Sequence, residues 1–277
     1  MATSSADLVA DASWGTVRAA PDVRLAHALR SITGWLEAEP APVRRVERPP
    51  AGMAVILSFG PALHVTDADG VRTTVTSFVV GLQDTASLTE HDGRGHGVQL
   101  DLTAAGAYAL FGTSVAALRG GVQALGDTSA LAVDRIVDRL LDAPNPATRM
   151  ETVHEEVTAA IADGPCLSPE IAWADAVLRR TAGGARIGAL ADELGWSGRR
   201  LVDRFAREIG TTPKAFARLL RFRRAHDQLV ARPATSLATL AADCGYADQP
   251  HFTRDFRAFA GCTPTELVAE VLAATST

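Results

Sequence analysis

The chain has 277 residues, 47% of them apolar, which excludes a disordered chain and allows one large or two ordinary domains with real cores. Its formal charge of −5 hides a division: residues 1–182 hold 14 basic against 22 acidic residues, residues 183–277 hold 13 against 10, and residues 197–232 hold 10 against 3. The acidic mean therefore does not exclude a nucleic-acid partner, because phosphate attraction acts within a Debye length of about 8 Å.

In chain order, residues 1–14 lack a basic start and a long apolar run, and no stretch approaches the about 18 apolar residues that span a bilayer, so a cytoplasmic location is expected. Leu25, Leu29, Ile32 and Leu36 recur at spacings of four, three and four, which predicts a helix over about 21–37. Pro40, Pro42, Pro49 and Pro50 then break any helix, and short β-rich runs follow at 43–46, 53–59, 71–80 and 98–102. Turn signals at 67–70 and 91–95 separate runs and favour antiparallel hairpins, in a small sandwich or open barrel. Helical patterning returns at Thr103, an N-cap, with a first stop at Gly112. Further helices are expected at 129–141, 147–161 and 168–181, the last with Ser168 as cap and Pro169 in its first turn. Ala182, Gly183, Gly184 and Ala185 read as a short hinge, and the domain boundary is placed there.

His91, Asp92 and His96 form a His-rich turn, but their spacing matches no standard metal site and Gly93 and Gly95 lie among them, so a solvated turn is the better reading. No hydrolase or phosphate-loop motif is present, and neither metal nor cofactor is expected. Three cysteines, Cys166, Cys244 and Cys262, are odd in number and lack metal-ligand spacing, which argues against a disulfide framework. Cys244 and Cys262 fall at inner positions of a helical repeat, where a thiol acts as a small apolar group.

That repeat dominates the remainder. Leu190, Ala191, Gly195 and Trp196 recur fifty residues later as Leu240, Ala241, Gly245 and Tyr246. Leu201, Phe205, Gly210, Thr212 and Pro213 recur fifty-one later as Phe252, Phe256, Gly261, Thr263 and Pro264. The extra residue falls in the turn between two helices, where it is tolerated. In the second copy, Gly245 ends a first helix, Asp248 caps the next, and Phe252, Phe256 and Phe259 give that helix an apolar stripe. Thr263, Pro264 and Glu266 spell a capping box that opens a further helix. Residues 213–230 join the copies as one continuous helix, opened by Pro213 and stopped by Pro233.

Gly245-Tyr246, Asp248-Gln249, Phe252, Arg254, Phe256-Arg257 and the closing Gly261-Cys262-Thr263-Pro264 resemble the second motif of the AraC/XylS family of bacterial transcription regulators, and the resemblance covers about 186–269. Two departures stand out: Leu267 where an aromatic is usual, and Asp203 where a basic residue is common. The resemblance implies an α+β chain. Its N-terminal part, 15–182, would be a small antiparallel β-sandwich or barrel-like sheet with following helices, used for effector sensing or dimerisation. Its C-terminal part, 183–277, would be an all-α DNA-binding domain of two helix-turn-helix subdomains, about 186–210 and 236–260, joined by a linker helix at about 213–231.

The implied activity is regulation of transcription by sequence-specific binding to double-stranded promoter or operator DNA, with two recognition helices in successive major grooves and no catalysis. RNA polymerase, a small-molecule effector and a second copy of the chain are the further partners this layout admits. Helical spacing turns Leu201, Phe205 and Ile209 inward, so Arg199, Val202, Asp203 and Ala206 face outward and Arg200, Arg204 and Arg207 form a flanking stripe. In the second copy Gln249, Thr253, Arg254 and Arg257 face outward, with His251 at the edge. Arginine suits guanine, Gln suits adenine and Thr suits the thymine methyl. Arg199 and Asp203 lie four apart, which predicts that the carboxylate orients the guanidinium. The alternative from another class is an alkyl-acceptor using Cys166, but that chemistry needs a lowered thiol pKa, and only His154, twelve residues upstream, could help by folding. An RNA-binding module is disfavoured, since no aromatic platform accompanies the basic segment.

Overall fold

A computed structural model of the protein describes residues 16–21, 23–126 and 131–275. Residues 1–14, read for a leader, and position 129, where a helix is expected to start, lie outside the described residues.

The N-terminal half is two antiparallel sheets. One has the order β1 (Thr16–Ala19), β2 (Leu29–Ala38), β9 (Arg94–Leu102), β4 (Met53–Ser58), β7 (Phe78–Val80) and β10 (Val122–Ala124). The other has the order β3 (Val43–Glu47), β8 (Ser87–His91), β5 (Leu63–Thr66) and β6 (Arg72–Val75). Strand β4 shows why the sheets stack. All six of its residues are buried, and they alternate: Ala54 and Ile56 join Val65, Val75 and Phe78 between the sheets, while Met53, Val55 and Leu57 join the larger core beneath the helices. A strand covered on both faces reads as an unbroken apolar run, as this one does.

The helix expected at 21–37 is instead a turn over 23–28 followed by β2. The misleading signal has a physical source. A β-bulge between Leu29 and Ser31 shifts the side-chain phase, so Leu25, Leu29 and Ile32 are all buried at spacings that imitate a helix. Strand β2 then pairs with β1 and β9 on its two edges, and this tertiary pairing decides the conformation of a Thr33-Gly34-Trp35 stretch with little helix propensity. The single run expected at 71–80 is likewise divided, β6 lying in one sheet and β7 in the other, with the Ser77 hydroxyl accepting from Ser58 N–H where the chain crosses. The 67–70 turn is a hairpin between β5 and β6, closed by Asp67 Oδ1 accepting from the N–H groups of Asp69 and Val71. The 91–95 turn is different, since it carries the chain from β8 in one sheet to β9 in the other.

Helix α1 (Ala104–Phe111) starts at Thr103, whose hydroxyl accepts from Gly106 N–H, and ends at Gly112. Helices α2 (Val133–Asp142) and α3 (Pro146–Ala162) are tied by Arg135 and Arg139, which hold Glu156 at 2.6 and 2.5 Å. After α4 (Pro169–Arg180), the segment expected to be a hinge is a packed turn. Gly183, at φ +78°, presses so closely on Ala217 that any Cβ there would meet the Ala217 carbonyl, and the Gly183 carbonyl accepts from Arg221. The β-rich half also touches the C-terminal helices directly: Arg48 reaches Glu270 at 2.7 Å, and Arg179 donates to the Ala51 carbonyl.

His91, Asp92 and His96 diverge. The His91 ring sits 3.0 Å from Glu37, Asp92 Oδ1 accepts from Arg94 N–H, and the His96 ring packs edge-on against Phe59. Among the described residues no group of three or more His, Cys, Asp or Glu is placed to hold a metal, and no helix is long and apolar enough to cross a membrane.

Candidate nucleic-acid interface

Six helices carry the candidate interface: α5 (Ile187–Glu193), α6 (Gly198–Ile209), α7 (Pro213–Ala231), α8 (Leu237–Asp243), α9 (Gln249–Ala260) and α10 (Pro264–Thr275). The sequence repeat is also a repeat of hydrogen bonds. Helix α5 closes with Trp196 N–H donating to the Ala191 carbonyl and α8 with Tyr246 N–H donating to Ala241, both at 2.9 Å. The closing residues Gly195 and Gly245 have φ +64° and +75°, a left-handed conformation that only glycine adopts without strain. Ser197 and Asp248 then cap α6 and α9, accepting from the N–H groups of Arg200 and His251. The inserted residue is Ala247, between Tyr246 and the cap. Gly210 and Gly261 end α6 and α9, and Thr212-Pro213 and Thr263-Pro264 start α7 and α10. At Thr263 the capping box is reciprocal: its N–H donates to Glu266, whose own N–H donates back to the threonine hydroxyl.

Helix α7 is buried along most of its circumference, through Phe216, Leu219, Leu220, Phe222, Ala225 and Leu229, so it serves as the common core of both copies. Its Phe222 ring stacks on Phe259 at 4.9 Å and meets Phe256 edge-on at 5.2 Å. Phe205 of α6 lies 5.8 Å from Phe216 of the same linker. Cys244 is buried in this core, and Cys262 is half-buried beside Arg48.

The structure places the expected site residues as follows. On α6, Arg199, Arg200, Asp203 and Arg207 are exposed, while Val202 and Arg204 are half-buried. Arg199 Nε lies 3.8 Å from Asp203 Oδ2, with the arginine side chain 92% exposed, a surface pair that adds little stability. The Arg200 guanidinium lies over the Trp196 ring at 4.4 Å, and Arg204 is engaged by Glu208 at 2.8 Å. On α9, Gln249, Arg254 and Arg257 are exposed, and His251 and Thr253 are half-buried. The His251 ring is edge-on to Tyr246, and its Nε2 lies 3.9 Å from Asp255 Oδ2.

Sequence reading missed the residues behind these faces. Glu208, 3% exposed, accepts from the backbone N–H and hydroxyl of Ser168 at the start of α4. Asp255, 8% exposed, is held by Arg218 of α7, whose guanidinium the carboxylate keeps more firmly protonated than usual. The signal was present in both cases, since each carboxylate falls on the apolar side of its helix: Glu208 one position before Ile209, Asp255 between Phe252 and Phe256. Burial holds the Tyr246 phenol well above its usual range, so it stays neutral as a packing group.

Residues 190–270 match the family described as a helix-turn-helix domain. The C-terminal part of the chain is therefore a helix-turn-helix domain. Solved structures similar to this chain include a transcriptional regulator with an AraC-type DNA-binding domain from Chromobacterium violaceum, at 27% identity over 37% of this chain and 92% of that one, with a TM-score of 0.34. A probable AraC family transcriptional regulator from Rhodopseudomonas palustris CGA009 is 27% identical over 38% of this chain and 98% of its own, with a TM-score of 0.34. ToxT from Vibrio cholerae spans 86% of this chain and 98% of its own at 9% identity and a TM-score of 0.47. Comparison with curated proteins gives no match.

Within the helix-turn-helix domain, replacing Gln249, Thr253 and Arg254 together by alanine is expected to leave the thermal transition in place, because none of the three belongs to the buried Phe252, Phe256 and Phe259 stripe. Disappearance of that transition in a calorimetric scan would mean that the faces of α9 are reversed.

Proposed function

We propose that the protein is a transcription regulator that binds double-stranded DNA sequence-specifically, placing α6 and α9 in successive major grooves. The observation that carries this reading is the pair of arginine-bearing exposed helix faces, on α6 and α9, fixed to one 19-residue helix between them. Arg199, Arg200, Val202, Asp203, Arg204 and Arg207 form the first contact surface, and Gln249, His251, Thr253, Arg254 and Arg257 the second. Base-edge contacts fall to the exposed Arg199, Gln249 and Arg254, and phosphate contacts to the flanking arginines.

The DNA-binding part begins at Ser168 in this reading, earlier than the glycine turn. Helix α4 buries Ile171, Ala174 and Leu178, its cap residue is bonded to Glu208, and Arg179 lies over the Phe216 ring at 4.9 Å. The sheets and helices before it are the effector-sensing or dimerisation part, with their own core between the two sheets. Cys166, exposed between α3 and α4, is no alkyl-acceptor in this reading, since His154 is turned back to the Met150 carbonyl of its own helix.

Selection from a random duplex library tests the proposal. A motif of two parts spaced by about one helical turn, about 10 base pairs, is expected. Retention of duplexes with no shared sequence would refute sequence-specific reading. Arg199→Ala is then expected to cost about 1–3 kcal/mol and to relax one base position in the first part. Unchanged operator affinity across a salt titration would remove Arg199 from the base-reading set. Asp203→Asn is expected to blur that same position more than it alters total affinity.

A further inference from the structure

We infer that Asp255, through Arg218, is a specificity-determining positioning residue that sets the roll of α9 about its axis and so decides which of its side chains meet base edges. This inference rests on the reading that α9 enters the major groove. Asp255 sits at the edge of the buried face of α9, next to the arc of Phe252, Phe256 and Phe259, where an alanine or a larger apolar side chain would widen the stripe. Asp255 is buried but its partner Arg218 is 37% exposed, and a partly exposed ion pair adds little stability, so packing strength gives no reason for a carboxylate there.

Direction does. An apolar stripe is non-directional and tolerates a slip around the helix axis, whereas a guanidinium meeting a carboxylate at two points fixes an angle. Arg218 makes such a contact, with Nη2 at 2.8 Å from Oδ1 and Nε at 3.3 Å from Oδ2 of Asp255. The same guanidinium lies 5.4 Å from the Phe259 ring centre, so α9 is held from α7 at two points along its length. Two further titratable groups face Asp255: His251, whose Nε2 stands 3.9 Å away on the DNA side of the same helix, and Tyr246, whose phenol feels the carboxylate's charge. Side-chain tips lie about 5–6 Å or more from a helix axis, so a roll of about 20° displaces them by about 2 Å. A shift of that size removes a base-edge hydrogen bond, whose length varies by only about 0.5 Å.

The first copy makes the inference specific to the second. Position 204, equivalent to 255 across the repeat, holds an arginine, which pairs within its own helix to Glu208. There the tie to a neighbouring helix runs through Glu208 and the cap of α4 instead. The two recognition helices are therefore oriented by different residues, and disturbing Asp255 should leave the reading by α6 intact.

The test is selection from a random duplex library with the full chain, the part of the motif belonging to α9 being the one erased by the Gln249, Thr253 and Arg254 triple alanine variant. Asp255→Ala is expected to lower base discrimination in that part by about tenfold while leaving the α6 part and the affinity for unselected duplex unchanged. Asp255→Asn, which keeps an oxygen facing Nη2, is expected to restore most of the discrimination. Should Asp255→Ala fail to fold, Arg218→Gln is read in the same way. An unaltered two-part motif in these variants, whatever their melting temperature, would overturn the inference alone. Equal flattening of both parts would also overturn it, since that reports general loosening. A wild-type motif with no part erased by the triple variant would overturn the two-helix reading, and this inference with it.

Discussion

Insertion of about five base pairs between the two parts of the binding site is expected to weaken specific binding at least tenfold. Helix α7 has 19 residues, and at about 1.5 Å per residue it is a rod of about 28 Å. Phe205 against Phe216 at one end and Phe222 against Phe256 and Phe259 at the other leave it little freedom to bend without opening the core. In the proposed mode α6 and α9 would then follow one face of the duplex, with their grooves about 34 Å apart. A half-turn insertion rotates the second groove to the far side. Binding must then bend or twist the DNA, at a cost of order 1–6 kcal/mol, or give up one helix altogether. Base changes within the spacer at constant length should have little effect. Equal affinity for the native and the half-turn sites, measured by gel shift at fixed salt, would leave one helix-turn-helix unit as the sole reader.

Phe256→Ala is expected to destabilise the C-terminal domain by about 3–5 kcal/mol, the range for removing a fully buried phenylalanine. Phe256 has no exposed surface and contacts Phe222 and Phe252 edge-on at 5.2 and 5.5 Å, so truncation leaves a cavity between α7 and α9 that neighbouring rings cannot fill without tilting. Against a total stability of about 5–15 kcal/mol this is a large fraction. Urea unfolding should show the loss as a lower midpoint. A loss below about 1 kcal/mol would mean that the site collapses and that α7 is not rigidly packed. The exposed Arg257→Ala, one position along, should change stability by less than about 0.5 kcal/mol.

The helical half of the protein was legible in the sequence because its determinants are local. Caps at Ser197, Thr212, Asp248 and Thr263, and glycines at 195, 210, 245 and 261, each act within a few residues, and all sit at helix ends in the structure. The duplication helped, since two copies show which positions are constrained by the fold. The β-rich half was legible as a class but not in its order. Strand β2 hid behind a bulge, the 71–80 run divided between two sheets, β5 alternates over only four residues, Leu63 to Thr66, and β8 carries a single apolar residue, Leu88.

For the interface, exposure follows the helical wheel at Arg199, Asp203, Arg254 and Arg257, because a wheel needs only the apolar stripe to be oriented. What a wheel cannot supply is the partner across a helix pair. Asp255 and Arg218 are 37 residues apart and Ser168 and Glu208 are 40 apart, so their pairing depends on how helices cross, not on any local spacing.

Hydroxyl-radical footprinting of the full chain on a selected duplex tests the central claim most directly. Two protected windows centred about 10 base pairs apart on one face are predicted, with the triple alanine variant on α9 losing only one of them. A single window, or two windows on opposite faces of the duplex, would contradict a rigid pair of recognition helices.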